Sequence, residues 1–183
     1  SIGYYSFGEC SSLESVVIPD SVTSIGYAAF YYCSSLESVV IPDSVTTIEN
    51  GAFYWSGLKE ITIPEKFYRD QDELRRIGIN PNNTTVRSSP TTTPYAPTTT
   101  PYVPTTTPYV PTTSSGLQRV VCSNCDECGG AAHIRISLPE GTTEITERAF
   151  YNCTSLVSVV IPDSVTSIGY YSFGECSSLE SVV

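Results

Sequence analysis

Residues 1–17, SIGYYSFGECSSLESVV, recur without a single change as residues 167–183. The offset is 166 residues (167 minus 1), so the chain reads as a window on a longer repeating pattern. Within that long period lies a shorter one. Ser1 to Thr23, Ser24 to Thr46, a divergent Thr47 to Phe67, Glu144 to Thr166 and the partial Ser167 to Val183 share the form xIxxxAFxxCxxLxSVxIPxSVT, 23 residues long. Repetition at such a period is the mark of a solenoid. One 23-residue turn cannot bury its own apolar face, so neighbouring turns must stack and share a core.

The periodicity predicts which side chains form that core. Ile2, Ile25, Ile48, Ile145 and Ile168 fall in one column, Phe7, Phe30, Phe53, Phe150 and Phe173 in a second, and Leu13, Leu36, Leu58, Leu156 and Leu179 in a third. LESVVIP supplies β-branched residues for a short parallel strand with Val16 and Ile18 turned inward, and Pro19 ends it. The aromatic segment around AFYYC suits a helical or 3-10 turn on the opposite wall, and Pro-Asp-Ser closes each repeat as a turn. HIRISLPEGTT, residues 133–143, reads as half a repeat that opens a solenoid. EKFYRDQDELRRIGINP departs from the pattern and predicts a charged helix from Glu65 to about Arg76, within a cap spanning about residues 65–80.

The repeats, and AFYYCSSLESVVIPDSVTTI in particular, resemble the BspA-like leucine-rich repeats over roughly 100 residues in two blocks. The resemblance implies a solenoid of short parallel strands and a home on cell surfaces or in secreted proteins, often as an adhesin. It implies no catalytic residues.

Between the blocks, Pro90 to Val110 is three near-perfect copies of PTTTPYA/V. Proline fixes φ and lacks an amide donor, so an extended polyproline-II linker is expected. The division that follows is residues 1–86 as the C-terminal part of one solenoid, 87–116 as linker, and 117–183 as a Cys-containing N-terminal cap with the first repeats of the next solenoid. On this reading the two blocks of one chain lie far apart.

Thr-rich segments with Pro are often O-glycosylated stalks. Thr91, Thr92, Thr93, Thr98, Thr99, Thr100, Thr105, Thr106, Thr107, Thr112 and Thr113 are the candidates. Asn82, Asn83 and Asn152 begin N-glycosylation sequons. A bare spacer is the alternative, but it does not explain the regular placing of Tyr95, Tyr102 and Tyr109, which could dock on a neighbouring unit.

Seven cysteines divide into two groups. Cys122, Cys125 and Cys128 crowd into VVCSNCDECGG and are disulfide candidates for a secreted chain. A zinc or iron–sulfur site would need a fourth ligand, and His133 is the only histidine. Cys10, Cys33, Cys153 and Cys176 share one repeat position and read as buried free thiols. No histidine lies near them in sequence to activate a nucleophile. The Asp20, Asp43 and Asp163 column suits turns better than calcium, which needs six to eight oxygens. Glu14, Glu37 and Glu180 form a solvated stripe.

A net charge of −10 and a pI near 4.4 argue against nucleic acid or an anionic membrane as partner. No segment reaches the roughly 18 apolar residues of a span. Val17, Val40 and Val160, which should point away from the core, are self-association candidates. No enzyme, cofactor or metal is expected. The expected partners are a second copy of the chain, in a head-to-tail array, and covalent glycans; a surface adhesin gripping an external ligand is the alternative.

Overall fold

The computed structural model describes residues 1–89 and 134–183, and these form one solenoid rather than two separate blocks. Its strands are β1 (Ser15–Val16), β2 (Ser24–Ile25), β3 (Ser38–Val40), β4 (Thr47–Ile48), β5 (Glu60–Ile63), β6 (Thr85–Ser88), β7 (Ile134–Ser137), β8 (Glu144–Ile145), β9 (Leu156–Val160), β10 (Ser167–Ile168) and β11 (Ser181–Val182). Parallel pairing runs β7–β9–β11–β1 in one sheet and β3–β5–β6 in another. β1 lies against β3, so the two sheets follow one another along the same wall. A second, narrower ladder runs β8–β10, then through bridges of Ile2 to both Ile168 and Ile25, then β2–β4.

The order along the solenoid therefore differs from the order along the chain. The 134–183 block stacks beneath residue 1, with Ser15 opposite Ser181 and Val16 opposite Val182. This corrects the expectation that the blocks lie apart. The reason is that Ser1 to Val17 and Ser167 to Val183 are the same sequence, so each presents the surface that a neighbouring turn requires.

The predicted columns are the core. All five phenylalanines of the repeat column are buried, and their rings stack at 5.1 to 5.3 Å in the order Phe150, Phe173, Phe7, Phe30, Phe53 with planes within 5°. The isoleucine and leucine columns run alongside, with Ile168 alone only partly buried. Each Pro-Asp-Ser-Val segment closes as a turn, with Val22 N–H donating to Pro19 O at 3.0 Å and Val45 N–H to Pro42 O at 3.0 Å. Asp20, Asp43 and Asp163 stay exposed at these turns.

The aromatic wall is built from tight turns. Gly8 N–H donates to Tyr5 O and Cys10 N–H to Phe7 O, the three-residue spacing of a 3-10 turn. Two residues per repeat nonetheless take positive φ and interrupt any helix. They are Tyr5, Ala28, Gly51, Arg148 and Tyr171 at one position, and Glu9, Tyr32, Trp55, Asn152 and Glu175 at the other.

At the far end the expected single helix is two, α1 (Glu65–Tyr68) and α2 (Gln71–Arg76). Asp70 adopts an extended conformation between them, and its carboxylate accepts from the N–H groups of Asp72 and Glu73 at 3.0 Å. That is an N-cap, which starts a new helix instead of continuing the old one. Gly78, with φ of 99°, ends α2, and Ile79 N–H returns to Leu74 O at 2.8 Å. β6 then pairs with β5 as far as Ser88, so the folded block passes the expected boundary at residue 86.

Candidate interaction surface

Three features offer themselves as surfaces: the junction where the 134–183 block meets residue 1, the valine stripe, and the tyrosine wall. The junction has no peptide bond across it, yet it reproduces the bonding inside each block. Phe173 N–H donates to Ser6 O at 2.7 Å and Glu175 N–H to Gly8 O at 2.8 Å. One turn earlier, inside the block, Phe150 N–H donates to Ser172 O at 2.7 Å and Asn152 N–H to Gly174 O at 2.8 Å. Gly3 N–H to Ile168 O at 2.7 Å matches Gly26 N–H to Ile2 O at 2.8 Å. The Phe7 and Phe173 rings stand 5.2 Å apart, against 5.3 Å for Phe7 and Phe30.

The cysteine column adds a bond per turn. The thiols of Cys10, Cys33 and Cys176 donate to the carbonyls of Phe173, Phe7 and Phe150, each in the preceding turn, at 3.0 to 3.1 Å. These three are free and buried. Burial pushes the Cys10 and Cys33 thiols well above the usual range, because a thiolate there would lose its water. Cys153, at the same repeat position, is not free, which corrects the expectation of a free thiol there.

A cavity of about 180 Å³ opens at the junction, walled by Phe7, Val16, Val22, Val165 and Val182 among others.

Val17, Val40 and Val160 point outward at 61%, 63% and 46% exposure, forming a stripe on the strand wall. Thr62 takes the equivalent place in the divergent turn, opposite Val40. On the other wall Tyr170, Tyr4 and Tyr27 stack at 4.9 and 5.2 Å, and Tyr171 stacks on Tyr5 at 4.4 Å with Tyr31 tilted against Tyr5 at 5.4 Å. Both columns cross the junction. The Tyr5 hydroxyl donates to Glu9 Oε1 at 2.6 Å, and Tyr151 O–H donates to Glu175 Oε1 at 2.7 Å. Burial first, then the Glu9 carboxylate, hold the Tyr5 phenol far above its ordinary value. Trp55 ends the row, edge-on to Tyr31.

Asn82, Asn83 and Asn152 are all exposed. The hydroxyl of Thr84, third residue of the Asn82 sequon, is buried and donates to Leu58 O at 3.0 Å. The candidate threonines from Thr91 to Thr113, the linker tyrosines Tyr95, Tyr102 and Tyr109, and Cys122, Cys125 and Cys128 lie outside the described residues. Among the described residues no group of three His, Cys, Asp or Glu side chains could hold a metal ion, and no helix is long and apolar enough to cross a membrane.

The column register fits a known repeat. Six copies of the BspA type leucine rich repeat region match residues 1–89 and 127–183. This chain belongs to the BspA-type leucine-rich repeat family. Among solved structures, a leucine rich cell surface protein from Faecalibacterium prausnitzii A2-165 aligns with 98% of this BspA-type chain at 31% identity and a TM-score of 0.39. A leucine-rich repeat protein from Bacteroides ovatus ATCC 8483 aligns with 97% at 23% identity and a TM-score of 0.28. The chain spans 44% of the length of each. No curated protein matches it.

The position of the columns was readable from sequence, and the junction was not. Its one available signal was the identity of residues 1–17 and 167–183, which gives both segments the same neighbours.

Proposed function

We propose that this chain is a structural subunit of a glycosylated extracellular fibre or cell-surface appendage, built from tandem leucine-rich-repeat domains and O-glycosylated Pro/Thr linkers. The observation that carries this reading is the equivalence of turn-to-turn contacts: Phe173 N–H to Ser6 O and Phe150 N–H to Ser172 O are both 2.7 Å. Units that meet through equal contacts can be added head to tail, and contacts of that kind that do not close on themselves generate filaments. Family membership supports a surface or secreted setting, as does the description of the Faecalibacterium prausnitzii relative as a cell surface protein. The net charge of −10 keeps such a polymer soluble.

Electron microscopy of native material, with intact glycopeptide mass spectrometry of the PTTTPY segment, tests the reading. Filaments with an axial repeat and glycosylated threonines are expected. Dispersed monomers with unmodified threonines would overturn it.

The tyrosine wall favours a second reading, a surface adhesin. Tyr4, Tyr27, Tyr32 and Trp55 are exposed at 41%, 41%, 51% and 67%, and clustered aromatic rings are common in binding sites. Binding of an external glycan or protein that is lost in Tyr4→Ser/Tyr27→Ser would favour it over the fibre.

A further inference from the structure

We propose that the junction between residues 167–183 and residues 1–17 is an exchangeable interface, at which the 134–183 block of one copy completes the solenoid of a second copy. The proposal deepens the fibre reading and rests on it for its biological setting, but its physical argument stands on the junction alone.

The junction is bonded like the rest of the solenoid. Ile168 N–H donates to Ser1 O at 2.9 Å, Tyr171 N–H to Tyr4 O at 3.1 Å, and Val17 N–H to Val182 O at 3.1 Å. The Ser6 hydroxyl reaches Gly169 O at 3.1 Å, and the Cys10 thiol reaches Phe173 O at 3.0 Å. Four ring pairs cross it: Phe7 with Phe173, Tyr4 with both Tyr170 and Tyr171, and Tyr5 with Tyr171. None of these contacts depends on the two blocks belonging to one chain. If the 134–183 block of a second copy takes the same place, every one is kept, which is the condition for domain exchange.

What decides between the two arrangements is the tether. Seven strands stack in the order β7, β9, β11, β1, β3, β5, β6. Six spacings of about 4.8 Å put the solenoid's two ends roughly 29 Å apart. The linker read from the sequence runs on from the described block over residues 90–116, 27 in number (116 minus 90 plus 1), and at about 3.1 Å per extended residue a stretch of that length could reach about 84 Å. The tether is therefore long enough both to close the solenoid within one chain and to bridge two copies. It sets an effective concentration on the order of mM for the closed form. Closure dominates in dilute solution, and exchange takes over where copies are crowded to that concentration.

Cysteines placed at Ser15 and Ser181, which face each other in register, report the arrangement. The full chain carrying both Ser15→Cys and Ser181→Cys, refolded and oxidised, gives a cross-linked monomer where closure is internal and cross-linked multimers where it is exchanged. A mixture of the two single variants, refolded together, gives a covalent dimer only through exchange. The expected result is a dimer that needs both variants, with a ratio to internal closure that rises tenfold for each tenfold rise in chain concentration and reaches one near mM. Internal cross-linking of the double variant with no mixed dimer up to mM would overturn the proposal. So would the absence of both products, or a dimer formed equally by either variant alone. Filaments of native material together with no mixed dimer would leave the fibre reading standing and remove this interface from it. A mixed dimer from a protein that forms no native filaments would do the reverse.

Discussion

Replacing Phe7 by alanine should unfold the 134–183 block selectively. Phe7 is 1% exposed and sits at the middle of the ring column, stacked on Phe173 at 5.2 Å across the junction and on Phe30 at 5.3 Å within its own block. Deleting a fully buried phenylalanine side chain costs about 3–5 kcal/mol. Where that loss falls depends on what each block keeps. Among the described residues, 1–89 retain three stacked turns and the cap of α1, α2 and β6, whereas 134–183 contribute the turns of Phe150 and Phe173 and the half-turn of β7. Solenoids need at least about three repeats to be stable. The smaller block therefore depends on the junction, and a weakened junction releases it first.

Hydrogen exchange read by mass spectrometry measures this directly. At ~1.4 kcal/mol per tenfold change, the loss amounts to about two to three and a half orders of magnitude of protection. It should appear at the amides of Tyr171, Phe173 and Glu175, whose acceptors are Tyr4, Ser6 and Gly8 across the junction. Phe30→Ala is the control, since Phe30 is equally buried and also stacks on two rings, but inside continuous chain. In that variant the 134–183 amides should keep pace with those of the Phe7 turn. Equal loss of protection across both blocks in Phe7→Ala would refute the reasoning, because it would mean the junction is no weaker a dependency than any covalently continuous turn.

Gly78→Ala should destabilise by about 2–4 kcal/mol in urea titration, since the new methyl would meet Tyr54 N at 2.5 Å and Phe53 C at 2.7 Å on a backbone already at positive φ. Asp70→Ala removes both cap bonds of α2 and should cost about 1 kcal/mol by the same assay. The thiols of Cys10, Cys33 and Cys176 should react with a disulfide reagent at pH 8 at least about 100-fold more slowly than in urea, because all three are buried away from the reagent and burial also disfavours the thiolates of Cys10 and Cys33. Stability should fall as pH rises above 10. Tyr5 and Tyr171 are raised from an ordinary value of 10.0 in the fold, so the unfolded chain releases those protons first; Tyr5→Phe should flatten the fall, as read from melting at pH 8 to 11.

The columns of Ile, Phe and Leu were legible because a 23-residue period places one residue type at one radius, and burial followed. The aromatic wall was harder. Its left-handed positions carry Tyr, Ala, Glu, Trp and Arg, and only Gly51 and Asn152 are residue types that signal positive φ. The stacked turns impose the conformation through bonds such as Phe7 N–H to Ala29 O at 2.8 Å, and the sequence of any single turn does not record that. Asp70 was legible in principle, as an N-cap residue three positions before Glu73, but the charged run from Glu65 to Arg76 masked the break.

The junction fails to announce itself for a deeper reason. A lock that admits one partner needs a surface unlike its neighbours, by charge or by shape. Here the turn of residues 1–17 is the turn of residues 167–183, so the surface that receives the 134–183 block is the same as the surface that block's own last turn presents. Such a sequence specifies the contact completely and its address not at all. Which copy supplies the next turn is then left to tether length and concentration, quantities that do not reside in the repeat. A charge reversal confined to one copy, such as Glu175→Lys with Glu9 retained, would supply the missing address: Glu9 and Glu175 hold the same repeat position in the two turns that meet at the junction, where Glu175 N–H donates to Gly8 O, and opposite charges there would favour one partner over the other. The competition can be run by mixing Ser15→Cys chains with equal amounts of two Ser181→Cys chains, one keeping Glu175 and the other carrying Glu175→Lys as well. The charge-reversed chains should capture more than half of the cross-links, and an even split would show that shape alone governs the pairing.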